Sequence, residues 1–229
     1  MKILVWDIPT RLFHWLFAAA FAVAYLTAES EAFFPLHVFS GVLMLLLVGF
    51  RLAWGLMGSR YARFSSFRFQ PKEGAKYFLQ VMTGRAPRHI GHNPAGSLAI
   101  YALLLLGAAA ALFGLATLLL GESFKEVHEA LANAMLGVVA LHLAGVAVES
   151  LVHRENLAKA MVDGTKEGQP EEGIPSSRVL AGVVLLVLVA GWGALFVSGY
   201  DSARQTLSLP FSGKSISLAH PEEEGRHRH

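Results

Sequence analysis

VHEALANAMLGVVALHLAGVAVESLV, residues 127–152, is apolar enough to cross a bilayer, yet it carries His128 and His142. Ionisable side chains inside a membrane span are costly and rarely face lipid, so each marks a candidate functional position. Fourteen residues separate the two, which is two heptads, so both lie on nearly the same helix face. At 1.5 Å per residue they stand roughly 21 Å apart along the axis. Ala132, Met135 and Val139 form a slim apolar strip between them, and Met135 reads as a core residue.

The rest of the composition agrees with a membrane setting. The chain has 229 residues, of which 54% are hydrophobic and 16% charged, and its mean hydropathy is +0.47. A soluble domain carries about 25% charged residues. Here the charges gather in a few loops between long apolar runs. Cysteine is absent, which excludes disulfides, thiolate-held iron–sulfur clusters, Cys zinc sites and covalent haem attachment within this chain. Any metal must be held by His, carboxylate or Met. The net charge of +2 is explained by membrane topology and gives no reason to expect a nucleic-acid partner. No A-x-A-like cleavage pattern follows the first apolar run, so that run reads as a retained span.

Working outward, the chain reads as an all-α membrane protein with spans at about Leu12–Ala28, Leu36–Met57, Ser97–Leu120, Val127–Val152 and Val179–Ser198. A polar leader, residues 1–11, precedes the first. The loop 58–96 contains a short amphipathic helix at Pro71–Gly84, expected on the membrane surface through Ala75, Phe78, Leu79 and Met82. Asn93-Pro94 signals the start of the third span, where Gly107 and Gly114 offer a surface for close helix packing. A polar segment, 153–177, leads to the fifth span, and the tail beyond it shows no core-forming periodicity. Residues 1–165 are expected to form the core, with 166–229 supplying a linker, the fifth span and the tail. Segments 1–11, 58–96 and 153–178 hold 2, 7 and 4 Lys plus Arg, against Lys125 alone in the short connections 29–35 and 121–126. The positive-inside rule then puts the N-terminus in the cytoplasm and the C-terminus in the periplasm.

That orientation sorts the histidines by depth. His37 opens the second span at the outer face, where His128 opens the fourth; His14 and His142 lie toward the inner face. Haem iron accepts two axial nitrogens, and an apolar bundle suits the porphyrin. Each depth-matched pair is therefore a candidate for one noncovalent b-type haem, two in all. A single interfacial histidine is more often a packing residue, and His14 and His37 taken alone would read so. His153 would lie roughly 37 Å from His128 along a helix, beyond the hydrocarbon core, and belongs to the surface. His89 and His92 fall in the basic loop, where a weak metal pair is the alternative to the expected solvated side chains; His220, His227 and His229 in the tail are likewise expected to be solvated. Arg51 can anchor at the interface or pair with a haem propionate.

The stretches VWDIPTRLFHW, HVFSGVLMLLLVGFRLAWGLMGSRYARF, GHNPAG and ALHLAGVAVESLVHRENLAKAM occur in this order. Together they resemble bacterial cytochrome b561 and the cytochrome b subunit of nickel–iron hydrogenases, over roughly residues 3–165. The resemblance implies a four-helix, two-haem core with His14, His37, His128 and His142 as axial ligands, in the bacterial inner membrane. It further implies electron transfer between the quinone pool and a redox partner, a c-type cytochrome or a hydrogenase, as in a quinone-linked oxidoreductase subunit of a respiratory chain. A homodimer is compatible with this reading. Trp6, Asp7 and Arg11 lie near the expected inner haem, where a quinone could approach. Two rivals are a metal-ion transporter with a histidine relay and a haem-free membrane anchor. The first would want carboxylates and broken helices in the spans; the second leaves the depth-matched histidines without a purpose.

Overall fold

The computed structural model describes residues 1–208 and 214–218. His220, His227 and His229 lie outside the described residues. Among the described residues, five helices are long and apolar enough to cross a membrane. Helix α1, Ile8–Thr27, starts one turn earlier than its hydropathy suggests. The reason is local: Asp7 accepts a hydrogen bond from Thr10 N at 2.9 Å, and Pro9 sits in the first turn. Helix α2, Phe34–Met57, follows a 3-10 turn at Glu31–Phe33. The amphipathic helix in the basic loop is α3, Pro71–Met82. Helix α4, Pro94–Leu120, is capped by Asn93, which accepts from Gly96 N at 2.6 Å. Helix α5, Lys125–His153, ends where Arg154 takes the left-handed conformation. The short α6, Leu157–Asp163, and the fifth spanning helix α7, Val179–Gly199, complete the set.

Helix α1 packs along α2, α4 along α5, α2 against α4, and α7 against α1; α5 meets α1 and α2 only sparsely. The core runs through Phe13, Phe17, Leu43, Met44, Leu47 and Met135, and Met135 is 1% exposed. Its centre is set by Gly107 of α4. A Cβ there would lie 2.6 Å from Phe17 Cζ, 3.3 Å from Met44 Cε and 3.4 Å from Met135 Cε. The missing side chain lets residues of α1, α2 and α5 converge on α4, the use small residues serve in membrane helices.

The polar segments are more ordered than their composition suggests. Strand β1, Lys2–Leu4, pairs antiparallel with β2, Thr165–Glu167, with Ile3 opposite Lys166. Ile8 N donates to Ser177 O at 2.9 Å, and Tyr61 OH donates to Glu172 O at 2.7 Å. The N-terminus, the 58–93 loop and the 154–178 segment thus meet at one end of the bundle, here called the basic end. At the distal end, β3 (Tyr200–Asp201), β4 (Thr206–Ser208) and β5 (Ser215–Ser217) form a three-stranded sheet. Leu207 and Leu218 are buried there against Phe196, with Val38, Phe39, Leu118 and Trp192 around them. The tail therefore does contribute a core. Strands of two or three residues carry too few alternating positions to announce themselves by period.

Candidate metal centres

At the distal end, His37 stands one turn into α2 and His128 one turn into α5. Their ring centres are 5.8 Å apart, with the planes at 85°. Nδ1 of His37 donates to the Ala24 carbonyl on α1 at 2.8 Å, and Nδ1 of His128 donates to the Ala110 carbonyl on α4 at 2.8 Å. A carbonyl oxygen only accepts, so each Nδ1 carries a proton, and in the neutral ring Nε2 is then the nitrogen left to ligate. A metal-ligating histidine has this arrangement, with its second nitrogen fixed by an acceptor. The sequence around Ala110 explains how the ring gets there. Gly114 follows Ala110 by one helical turn, and a Cβ on it would lie 2.9 Å from His128 Cε1 and 3.0 Å from Nδ1. The glycine uncovers the carbonyl that holds the histidine.

Toward the basic end, His14 of α1 faces His142 of α5 with ring centres 6.5 Å apart and planes at 59°. Trp15 meets His14 edge-on at 4.9 Å. Nδ1 of His14 is shielded from solvent and has no hydrogen-bond partner among the described residues. The four histidines thus come together two by two, His37 with His128 and His14 with His142. A metal–imidazole bond is about 2.0 Å long, so two rings facing each other across one ion have centres roughly 6 Å apart. Both pairs have that separation. Among the described residues no group of three or more His, Cys, Asp or Glu gathers. Each pair instead supplies two nitrogens, the number of axial positions on a porphyrin iron.

Arg51 of α2 is only 3% exposed. It follows His37 by fourteen residues, the same offset that separates His142 from His128, so it stands at the depth of the His14–His142 pair. Its guanidinium carbon lies 4.8 Å from the Phe64 ring centre and 5.8 Å from that of Phe67. Nη1 is shielded and has no hydrogen-bond partner among the described residues. Interfacial anchoring does not describe such a residue, because it lies inside the protein.

His92 is the residue that sequence reasoning missed. It is half-buried rather than solvated, wedged between Trp6 and Phe67 with ring centres at 4.6 and 4.4 Å. Burial pushes its pKa down to about 3, and the positive charge of Arg51 adds to the effect. Its Nδ1 is also shielded and has no partner among the described residues. The available signal was its position one residue before Asn93, since a helix cap draws its neighbour against the bundle. By contrast, His89 bonds within its own loop, Nδ1 donating to Pro87 O at 3.0 Å. His153 closes α5 half-buried, with Nε2 shielded and without a hydrogen-bond partner among the described residues.

Of the residues expected near an approaching quinone, Asp7 is fully buried and accepts from Trp54 Nε1 at 3.1 and 3.3 Å. Trp6 is spent on His92. Arg11 remains, lining a recess of about 130 Å³ with Ile8, Leu12, Trp15, Met161 and Val162. One Arg11 nitrogen, Nη1, donates to Asp163 O at 3.3 Å, while Nε is shielded with no partner among the described residues.

A family model described as prokaryotic cytochrome b561 matches residues 5–164, which include all four paired histidines, Arg51 and His92. No curated protein and no solved structure matches the chain.

Proposed function

The chain belongs to the prokaryotic cytochrome b561 family, a multi-pass membrane b-type cytochrome of electron transfer, and from that premise we propose that it holds two haems and exchanges electrons between membrane quinol and a second redox protein. The observation that carries this reading is the pair of facing imidazoles repeated at two depths along α5. His37 and His128 would hold one haem, and His14 and His142 the other, with Arg51 near the latter. Bound haem would supply reversible one-electron chemistry at iron.

The chain's own residues have other tasks. The Ala24 and Ala110 carbonyls fix the tautomer and direction of His37 and His128. Met135, Phe17 and Met44 fill the middle of the bundle and keep water from the space between the two levels. The recess at Arg11 and Trp15 offers apolar walls and a guanidinium close to His14, features that suit a quinone ring at the membrane surface. The second partner, a c-type cytochrome or a hydrogenase-like protein, would approach the distal end, and a homodimer is compatible with this arrangement. The basic end faces the cytoplasm in this proposal, an orientation supported by the thirteen Lys and Arg of segments 1–11, 58–96 and 153–178.

The test is reduction by quinol. The purified full chain, in bilayer lipid, should show a b-type reduced-minus-oxidised spectrum on addition of a quinol analogue and lose it on addition of quinone. Haem that stays oxidised with quinols of suitable potential contradicts the quinone-linked role.

A further inference from the structure

A guanidinium presents five N–H donors and keeps its charge at any ordinary pH. Buried, it needs an anion and acceptors, because burying an uncompensated charge is strongly unfavourable. Arg51 is 97% removed from solvent, its exposure being 3%, and the protein gives it little of either. Phe64 and Phe67 offer only ring faces. Asp7 is the acid whose charge acts on Arg51, but its oxygens already serve Thr10 N and Trp54 Nε1. Nη1 is left without an acceptor among the described residues.

Phe67 links this cation to a second orphan. The same ring that lies 5.8 Å from the Arg51 guanidinium lies 4.4 Å from the centre of the His92 ring. His92 Nδ1 is shielded and likewise has no partner among the described residues. Two shielded, unpartnered polar atoms beside one ring, one of them on a permanent cation, call for a ligand with negative charge and several acceptor oxygens. Helical register brings Arg51 to the level of His142, and a b-type haem carries two carboxylates on one edge.

We propose that Arg51 Nη1 and His92 Nδ1 together receive the carboxylates of the haem held by His14 and His142. The proposal rests on the two-haem reading and adds His92 as a cofactor-binding residue. His92 acts as the neutral tautomer with Nδ1 protonated, donating to one carboxylate oxygen. Arg51 supplies the charge. The distal pair has a different setting: the connections beside it carry Glu29, Glu31, Glu122 and Glu126 against Lys125 alone. A haem carboxylate and a small free anion, such as phosphate, share the chemistry of this cradle, so the experiment must separate them.

The full-length chain, stripped of haem and held in bilayer discs, is titrated with haem b and with its dimethyl ester, whose carboxylates are neutral. Uptake at the two levels is resolved by ferric electron paramagnetic resonance. At the His14–His142 level the free acid should bind roughly ten- to hundredfold more tightly than the ester, the equivalent of about one charged hydrogen bond. Arg51→Gln and His92→Phe should each shrink that ratio, Arg51→Lys should restore part of it, and the distal level should be unchanged throughout. The wild-type comparison needs no variant, so a misfolded variant does not remove the test. A ratio near one in the wild type overturns the proposal. So does an equal loss of both haem forms in Arg51→Gln. Phosphate that competes equally with acid and ester would assign the cradle to a free anion and also overturn it. No haem uptake at all would contradict the cytochrome reading itself, a distinguishable outcome.

Discussion

His128 of α5 and Ala110 of α4 are joined by a 2.8 Å hydrogen bond from Nδ1 to the main-chain carbonyl, and Gly114 is what leaves room for it. A larger residue at 114 would push the imidazole off that carbonyl. Gly114→Val should therefore disturb the distal haem and spare the one at His14 and His142, with an overpacking cost of ~1–3 kcal/mol. Gly193→Ala is the matched control, because a Cβ there meets nothing within 4 Å. Optical titration of haem content checks both. A Gly114→Val protein with both haems intact would remove this role for the glycine.

Asp7 is expected to anchor the basic end. It caps α1 through Thr10 N and accepts from Trp54 of α2 while fully buried. Asp7→Ala should lower stability by ~2–4 kcal/mol, from the lost cap and the unsatisfied indole N–H. Asp7→Asn should cost less, because an amide oxygen can still cap the helix. Thermal unfolding in detergent gives the comparison. Equal stability for Asp7→Ala and wild type would contradict this account of how α1 begins.

How much of this was legible in the sequence follows from the length of each signal. The five spans were legible, since twenty apolar residues leave little choice in a bilayer. So was the division of four histidines into two levels, because depth follows from helix rise alone. Span starts were read late at α1 and α4, where Asp7 and Asn93 begin the helix ahead of the apolar run. His92 was misread for a related reason: loop composition says nothing of a side chain that folds back between Trp6 and Phe67. The carbonyl partners of His37 and His128 were also out of reach, because they depend on which helices become neighbours.

The segment after α5 gives a pH dependence. Glu155 bonds Arg88 at 3.1 and 3.2 Å and pairs with Lys166 at 3.5 Å. Burial alone would raise the Glu155 pKa, but Arg88 and Lys166 hold it below the ordinary glutamate range. A carboxylate depressed in the fold stabilises the protein above its unfolded pKa, and this stabilisation is lost as pH falls through the folded one. Glu155→Gln should therefore be less stable than wild type at neutral pH and converge with it in acid below the ordinary glutamate range. Unfolding midpoints across that range decide it. A difference that persists unchanged in acid would show that the charge is not the cause.

The topology has an equally direct consequence. A reporter fused after Gly84 should be cytoplasmic, and one fused after Tyr200 periplasmic, because the first follows two spans and the second five. Protease accessibility in intact and opened cells distinguishes them. Reporters on the same side would remove the five-span arrangement.

The central claim is that four histidines hold two haems in the pairs His14–His142 and His37–His128. Ferric electron paramagnetic resonance of the full chain in lipid, compared across the four single His→Ala variants, tests it most directly. Two imidazoles on one iron give a low-spin signal, and loss of either ligand changes that signal alone. The account predicts two low-spin species in the wild type, one altered alike by His14→Ala and His142→Ala, the other alike by His37→Ala and His128→Ala, with His153→Ala keeping both. A single species in the wild type would contradict it, as would a common effect of His14→Ala and His37→Ala on one signal while the other answers to His128→Ala.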